Sequence, residues 1–542
     1  MRQISLPSAA LSIATACICY LRLDDFSRDL FSADEVPPES PISSDTPSEK
    51  ESASPTCSPQ PREEGDMDLF GFEGMFRTTE VRTAETCKLI ADKYTFYMYA
   101  SLHWAEHYTA SAPVAPIGLR AAARSLLDIK TPHGANWWQF FASHLGHERQ
   151  YSYIPIHPSP LTLAAFFGLG GFVNEELSAS VELTGEHIGE ALFWASHEGH
   201  SGVIKLLLET GADPNGKHEL SGHTALTIAS RNGHLDCVVT LLRDKRTDIN
   251  KRKSVNGRTA LSLAYSNQHP DIVRELLNNP DCDSAIPDFS GATALHWACR
   301  VADDMDITAL YKHPTVSLNH PDREGRTAIS WAAEYGVDAA VRALLKISTI
   351  DANLADKNGR TPLSWAAGGG HPSVVKLLLK SDKVNKSTAD KDGRNPYSWA
   401  AGNGHADVLR TLFRYRCPGV DDPDVDAWAP LAWASHHVSS RATEALIETR
   451  AVDLERRDLG GRTALAWAVE YGNLGIVRAL LRAGADPSTA AGSGATPLSR
   501  AQNRPRWEVN LRELLMYTHG KGGGGGAEGG EGDVGREFRC GS

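Results

Sequence analysis

Residues 103–107 read His-Trp-Ala-Glu-His, an H-x-x-E-H pattern. On a helix the two imidazoles, four residues apart, share one face, as two ligands of a zinc ion require. Glu106 would then act as general base, and a carboxylate from downstream would complete the metal shell. Zinc hydrolysis through His103, Glu106 and His107 is therefore one expectation, the most distant of three. Other reaction chemistry finds little to work with. No G-x-x-x-x-G-K-[ST] phosphate loop occurs, and the run from Gly520, "GKGGGGG", lacks the strand, the Lys-Ser/Thr pair and the helix that would cradle phosphates. No Gly-x-Ser-x-Gly elbow is present. The nine cysteines are scattered without C-x-x-C pairs, which fits free thiols in a reducing compartment. The expectation is a chain without catalytic residues, cofactor or metal.

The remaining chemistry-bearing residues recur at a fixed interval. Asp288, Asp322, Asp356, Asp390, Asp424 and Asp458 follow one another every 34 residues, each three positions before a turn. Aspartate there is expected to bond the hairpin backbone locally. His200, His234, His371 and His405 each follow a helix-ending glycine and are expected to be structural. The same interval separates Trp297, Trp331, Trp365, Trp399, Trp433 and Trp467, with Trp194 one residue out of phase and Ile228 and Leu263 in the slot between. A position that accepts Trp, Ile or Leu asks for bulk, so the tryptophan is expected to be a core residue stacked from unit to unit.

The elements that position these rows are legible in 356–389. Gly359 marks a tight turn and Thr361-Pro362 opens a helix. Leu363, Trp365, Ala366 and Ala367 make its apolar face, and Gly370 ends it. Val374, Val375, Leu377, Leu378 and Leu379 then supply the buried stripe of a second helix. A period near 33 residues carrying "TPLSWAA" resembles the ankyrin repeat over roughly 157–517, in ten or eleven copies. That implies an all-α ankyrin-repeat solenoid of helix-turn-helix units with short hairpin loops, preceded by a helical N-terminal region. A unit cannot bury its apolar face alone, so neighbours must stack.

Outside the repeats, 1–35 reads as a helical segment and 67–156 as a helical cap. The stretch 36–66 is rich in Pro, Ser and Glu and is expected to be disordered, with Ser40, Thr46, Ser54 and Ser58 each before a proline. The tail 518–542 is a glycine-rich flexible segment. The first 21 residues read as an amphipathic helix ahead of a secretory signal. "LSIATACICYLRLDDFS" and "YTFYMYASLHWAEHY" resemble the segment joining NACHT modules to ankyrin repeats in fungal signalling proteins. That resemblance implies, as the alternative reading, the partner-sensing part of such a system, without its ATPase.

The balance of charge is −12, with 41 % hydrophobic and 23 % charged residues, which disfavours nucleic acid and allows a buried core. No stretch is apolar enough for a membrane span. A cytoplasmic or nuclear interaction scaffold is the expectation. In the ankyrin family partners bind the concave face, made by hairpin tips and first helices. Transferred to this chain, that pattern names Arg326, Tyr335, Arg360, Arg394, Trp428, His436, His437, Arg462 and Tyr471 as partner-binding residues. The arginines would favour an acidic peptide or loop. Trp428 replaces its neighbours' arginine and is expected to be exposed, either gripping the partner or tucked under the 415–426 loop.

Overall fold

The computed structural model describes residues 6–22, 95–111, 115–145, 158–179, 183–253, 255–301, 304–492 and 494–502. The 36–66 linker with its Ser/Thr-Pro sites, the 518–542 tail and the last expected repeat residues, 503–517, lie outside them. The described residues are helical, with one isolated bridge between Lys217 and Thr224 and no strand. None of their helices is long and apolar enough to cross a membrane. The chain forms two compact units, Met1–Phe289 and Ser290–Ser542.

In the first unit, helix Leu6–Leu21 lies against helix Thr95–Ser111 and buries Ala14, Cys17, Ile18 and Leu21. Helices Ile117–Leu127 and Pro132–Leu145 close over them. The Trp137 indole donates to the Ser101 carbonyl at 3.0 Å and meets Trp104 edge-on at 5.4 Å. Phe167 contacts both rings, which ties the cap to the first repeat helix, Pro160–Phe166. Four helix pairs follow, beginning with Pro160–Phe166 and Gly170–Ala179 and ending with Ala260–Ser266 and Pro270–Asn278.

The second unit stacks six helix pairs, from Ala294–Val301 and Asp304–Tyr311 to Ala464–Glu470 and Leu474–Ala483, and then helix Pro497–Gln502. Its repeat 356–389 is built as its residues dictate. The Thr361 hydroxyl accepts the Ser364 N–H at the N-cap, and Pro362 takes the first helical position, where its missing N–H costs nothing. Leu363, Ala366 and Ala367 are buried, as are Val374, Val375, Leu378 and Leu379 of the second helix, while Leu377 is only half-buried. Each large aliphatic side chain so buried contributes about 1.5–3 kcal/mol.

Gly359 has φ +84°, and a Cβ there would stand 2.9 Å from the Lys391 amide of the next hairpin. That amide is occupied, because successive hairpin tips bond each other. Lys357 N–H donates to Glu324 O, Lys391 to Asn358 O and Val425 to Asp392 O, all at 2.8–2.9 Å.

The histidine row is structural in the way its position suggests. His200, His234, His371 and His405 place Nε2 2.7–3.0 Å from a carbonyl of the preceding repeat. Each ring also lies over that repeat's left-handed glycine; a Cβ on Gly336 would come within 2.3 Å of His371. His and Gly are thus one device spanning two repeats.

Candidate functional site

The aspartate row does more than hold hairpins. Oδ1 of Asp356 accepts the backbone N–H of Asn358 at 2.8 Å and of Arg360 at 2.9 Å, which fixes the turn. Oδ2 then accepts the indole N–H of Trp365 at 3.2 Å. The same indole bond joins Trp331 to Asp322 (2.9 Å), Trp399 to Asp390 (2.8 Å), Trp433 to Asp424 (2.9 Å) and Trp467 to Asp458 (3.1 Å). A Trp with an Asp nine residues earlier can therefore sit near the surface without an orphaned donor. Trp194 has Gly185 at that offset, and its indole nitrogen is buried with no partner.

Trp297, Trp331 and Trp467 are buried as the sequence suggests, whereas Trp365, Trp399 and Trp433 are half-buried. Nor do the latter stack on one another, which corrects the expectation of a continuous tryptophan core. An arginine from the hairpin lies between successive rings. The Arg360 guanidinium carbon is 3.6 Å from the centre of Trp365 and 3.7 Å from that of Trp399. Arg394 lies 4.8 Å from Trp399 and 3.5 Å from Trp433, and Arg326 sits more loosely between Trp331 and Trp365. Such cation–π sandwiches contribute about 0.5–2 kcal/mol each, more as they are desolvated. Where the slot holds Ala292, the rings of Trp297 and Trp331 meet directly, edge to face at 5.3 Å.

Trp428 occupies the arginine slot of its repeat and behaves accordingly. It lies between Trp433 and Trp467, 4.7 Å from each, with the His436 ring edge-on at 4.9 Å. It is half-buried, so the expectation of an exposed side chain is corrected. A flat apolar ring fits between two indoles as a guanidinium does.

The same repeat departs from its neighbours at three further points. Ala427 takes φ +61° where Gly359, Gly393 and Gly461 stand in the equivalent turns. Val438 takes φ +61° where Gly370, Gly404 and Gly472 end the other first helices. Ala429 replaces the capping Thr or Asn, and no side chain caps helix Pro430–His436.

Tyr335 and Tyr471 are 39 % and 48 % exposed, enough for each to meet a partner. Tyr471 Oη lies 3.0 Å from His436 Nε2. Burial, and then the neighbouring His437 and Arg462, push the His436 pKa down; burial and Arg394 do the same to His437. Both shifts favour the neutral ring.

The four arginines differ in counter-charge. Arg326 bonds Asp322 and Glu334, each at 3.0 Å, and Arg462 bonds Asp458 at 3.0 Å. Burial pulls Arg326 down, but Glu334 and Asp322 outweigh it and hold the group above its ordinary pKa. Arg360 and Arg394 have no ion pair among the described residues. Burial lowers Arg360 to about 10 and lowers Arg394 as well, and both remain charged near neutrality.

The H-x-x-E-H residues do lie on one helix, with His103 Nδ1 3.4 Å from Glu106 Oε2 and His107 Nε2 2.8 Å from Tyr99 Oη. No group of three or more His, Cys, Asp or Glu gathers in a metal-holding arrangement among the described residues.

The arginine–tryptophan alternation was not read from the sequence, although its signal is present. Arg stands four residues after, and Trp nine residues after, Asp322, Asp356, Asp390 and Asp458, while Asp424 has Trp at both offsets.

Comparison with known proteins gives the same repeat. A family model described as ankyrin repeats (three copies) matches in six overlapping stretches, 161–253, 244–313, 261–356, 303–390, 348–422 and 416–491. No curated protein matches the chain. The matched stretches cover more than half of the 542 residues, and they coincide with the stacked helix pairs, left-handed hairpin glycines and His–Gly couplings described above. By sequence pattern and by fold, the chain belongs to the ankyrin-repeat family.

Proposed function

We propose that this chain is a non-catalytic protein-interaction scaffold whose partner docks on the hairpins and first helices of 324–486. The observation that carries this reading is the repeat 424–457. It gives up the turn glycine, the helix-ending glycine, the capping hydroxyl and the arginine of its neighbours, and in their place it sets Trp428 and His436 beneath an exposed Tyr471. Local rules broken together at one place mark a position kept for something other than stability. Aromatic side chains with arginines beside them are also the usual composition of binding hot spots.

The more specific form of the proposal is the partner-sensing part of a NACHT-type signalling system in the cytoplasm. The helices that carry that resemblance, Leu6–Leu21 and Thr95–Ser111, pack on one another as a cap.

The test is affinity capture with cross-linking from a lysate of the source cell, comparing wild type with a Tyr335→Ala, Tyr471→Ala double variant. Both rings are at the surface, so the variant retains the far-UV circular dichroism of the wild type. A partner cross-linked to 324–486 by wild type and lost by the variant supports the reading. A partner cross-linked elsewhere and kept by both overturns the placement.

A further inference from the structure

The repeats of the second unit provide an internal comparison at the end of the first helix. In repeat 322–355 that position is Glu334, whose carboxylate lies 3.0 Å from the Arg326 guanidinium. One period on it is Gly368, and one further it is Gly402. These are the two repeats whose arginines, Arg360 and Arg394, have no ion pair. The slot that supplies a counter-charge to Arg326 carries no side chain of its own beside the next two. At Gly368 the Arg360 guanidinium lies against the backbone, 2.7 Å from where a Cβ would stand, and at Gly402 only Trp433 is near.

Arg360 is also poorly satisfied within its own repeat. Its Nε is buried without a partner, and its one side-chain hydrogen bond is to the Ser364 carbonyl at 3.3 Å. A half-buried cation without a bonded anion is costly, so the fold retains two charges that a ligand could neutralise.

We propose that Arg360 and Arg394 form a carboxylate-binding subsite. It takes two acidic side chains of an extended partner segment, one carboxylate to each guanidinium. The inference rests on the partner-docking reading above and adds the chemistry of the partner. Both arginines pack on Trp399, one ring apart, a spacing that an extended peptide covers in two or three residues. Asp356, Glu334 and Asp390 act on Arg360, and Asp424, Asp390, Asp392 and Asp426 on Arg394, so part of the positive charge is already offset, which suits singly charged carboxylates better than dianionic phosphates.

A randomised peptide library displayed on phage tests this on the full chain. Wild type is expected to select segments carrying paired Asp or Glu. Arg360→Gln and Arg394→Gln should each weaken the selected peptides about tenfold or more, because a hydrogen bond to a charged group is lost. Those variants also lose a cation–π contact, so Gly402→Glu provides an independent check. A Cβ there meets only Trp433, at an ordinary 3.7 Å, and the new carboxylate can reach Arg394 in place of the peptide. It should keep the fold and weaken the same peptides by a similar factor.

Peptides without acidic enrichment, unaffected by the arginine variants yet lost in Tyr471→Ala, would overturn the subsite and leave the docking reading standing. Peptides indifferent to all these variants, or no selection at all, would overturn both. Displacement by inorganic phosphate at concentrations where acetate has no effect would overturn the carboxylate assignment in favour of a phosphate-bearing ligand.

Discussion

Asp322 and Asp356 occupy the same position in successive repeats and differ in one bond, which makes them a matched pair. Each presents Oδ1 to two backbone N–H groups of its hairpin, at 2.8–2.9 Å. Oδ2 of Asp356 accepts only the Trp365 indole, at 3.2 Å. Oδ2 of Asp322 accepts both the Trp331 indole at 2.9 Å and the Arg326 Nε at 3.0 Å. Replacing either aspartate by asparagine keeps the oxygen that holds the turn and puts an amide NH2 where Oδ2 stood. Donor then faces donor once in Asp356→Asn and twice in Asp322→Asn. A hydrogen bond to a charged group contributes about 1.5–3 kcal/mol. The expected losses are therefore about 1.5–3 kcal/mol for Asp356→Asn and roughly twice that for Asp322→Asn. Turning the amide over gives no relief, because its NH2 would then face the two hairpin N–H groups.

Guanidinium-chloride unfolding of the full chain, followed by tryptophan fluorescence and far-UV circular dichroism, measures both losses. Asp458→Asn belongs with Asp322→Asn, because Asp458 also accepts from an arginine Nε and an indole. Losses that agree within about 0.5 kcal/mol, the usual scatter of independent surface changes, would refute the claim that these carboxylates anchor the stacked side chains as well as the turn.

Three further outcomes follow from the repeat 424–457 and from the first unit. Ala427→Gly should raise stability by a few tenths to about 1 kcal/mol, relief of a left-handed backbone outweighing the added freedom of the unfolded chain, while Gly359→Ala should cost more than 1 kcal/mol; the shift in denaturation midpoint gives both signs. Ala429→Thr should add about 1 kcal/mol by restoring the N-cap that Thr361 and Thr463 provide in their repeats, read in the same unfolding experiment. His218, its ring parallel to Phe193 at 4.0 Å and its Nδ1 accepting the Ser221 N–H, is pushed down by burial to about 4. Its folded pKa lies below the unfolded value, so its contribution is fully present above about pH 6.5 and is lost as pH falls toward 4, to a total of about 3 kcal/mol. His218→Gln should flatten the stability profile across that window, and an unchanged slope would count against the assignment.

The fold was legible because every unit repeats its instructions. Thr361-Pro362, the left-handed Gly359 and Gly370, and the stripe Val374, Val375, Leu378 each act through short-range geometry that one sequence displays directly. What the sequence did not display is which partner a side chain meets in the next repeat. Trp365 looks like a core residue by size, yet its neighbour across the stack is Arg360. An arginine beside a turn glycine reads as a solvated tip. Only the stacking distance, set when hairpins bond tip to tip, shows that a flat guanidinium fills the gap between two indoles.

Trp428 marks its repeat as the odd one in the sequence, but its environment is not the one its slot suggests. A large ring in place of a cation in a repeating slot suggests an exposed anchor, because an arginine beside a turn glycine reads as exposed. The slot is an intercalation site, so the substitution exchanges one flat filler for another and removes a charge from the stack. Taken along the unit, the slot then reads Ala292, Arg326, Arg360, Arg394, Trp428, Arg462, while the counter-charge position after the first helix reads Glu334, Gly368, Gly402, His436, Glu470 from the second of these onward. Glutamate ends the first helix after the first and last arginines, glycine after the middle two and histidine after the one uncharged ring. Glu334 bonds the arginine of its own repeat, whereas Glu470 pairs with Arg500 and Arg462 with Asp458. A glutamate has room at Gly402, whereas a Cβ on Gly368 would stand 2.7 Å from the Arg360 guanidinium itself. The stack itself needs only flatness, which Trp428 supplies without charge; the charges of Arg360 and Arg394, offset in part by nearby carboxylates but without an ion pair among the described residues, are what the proposed carboxylate subsite would use.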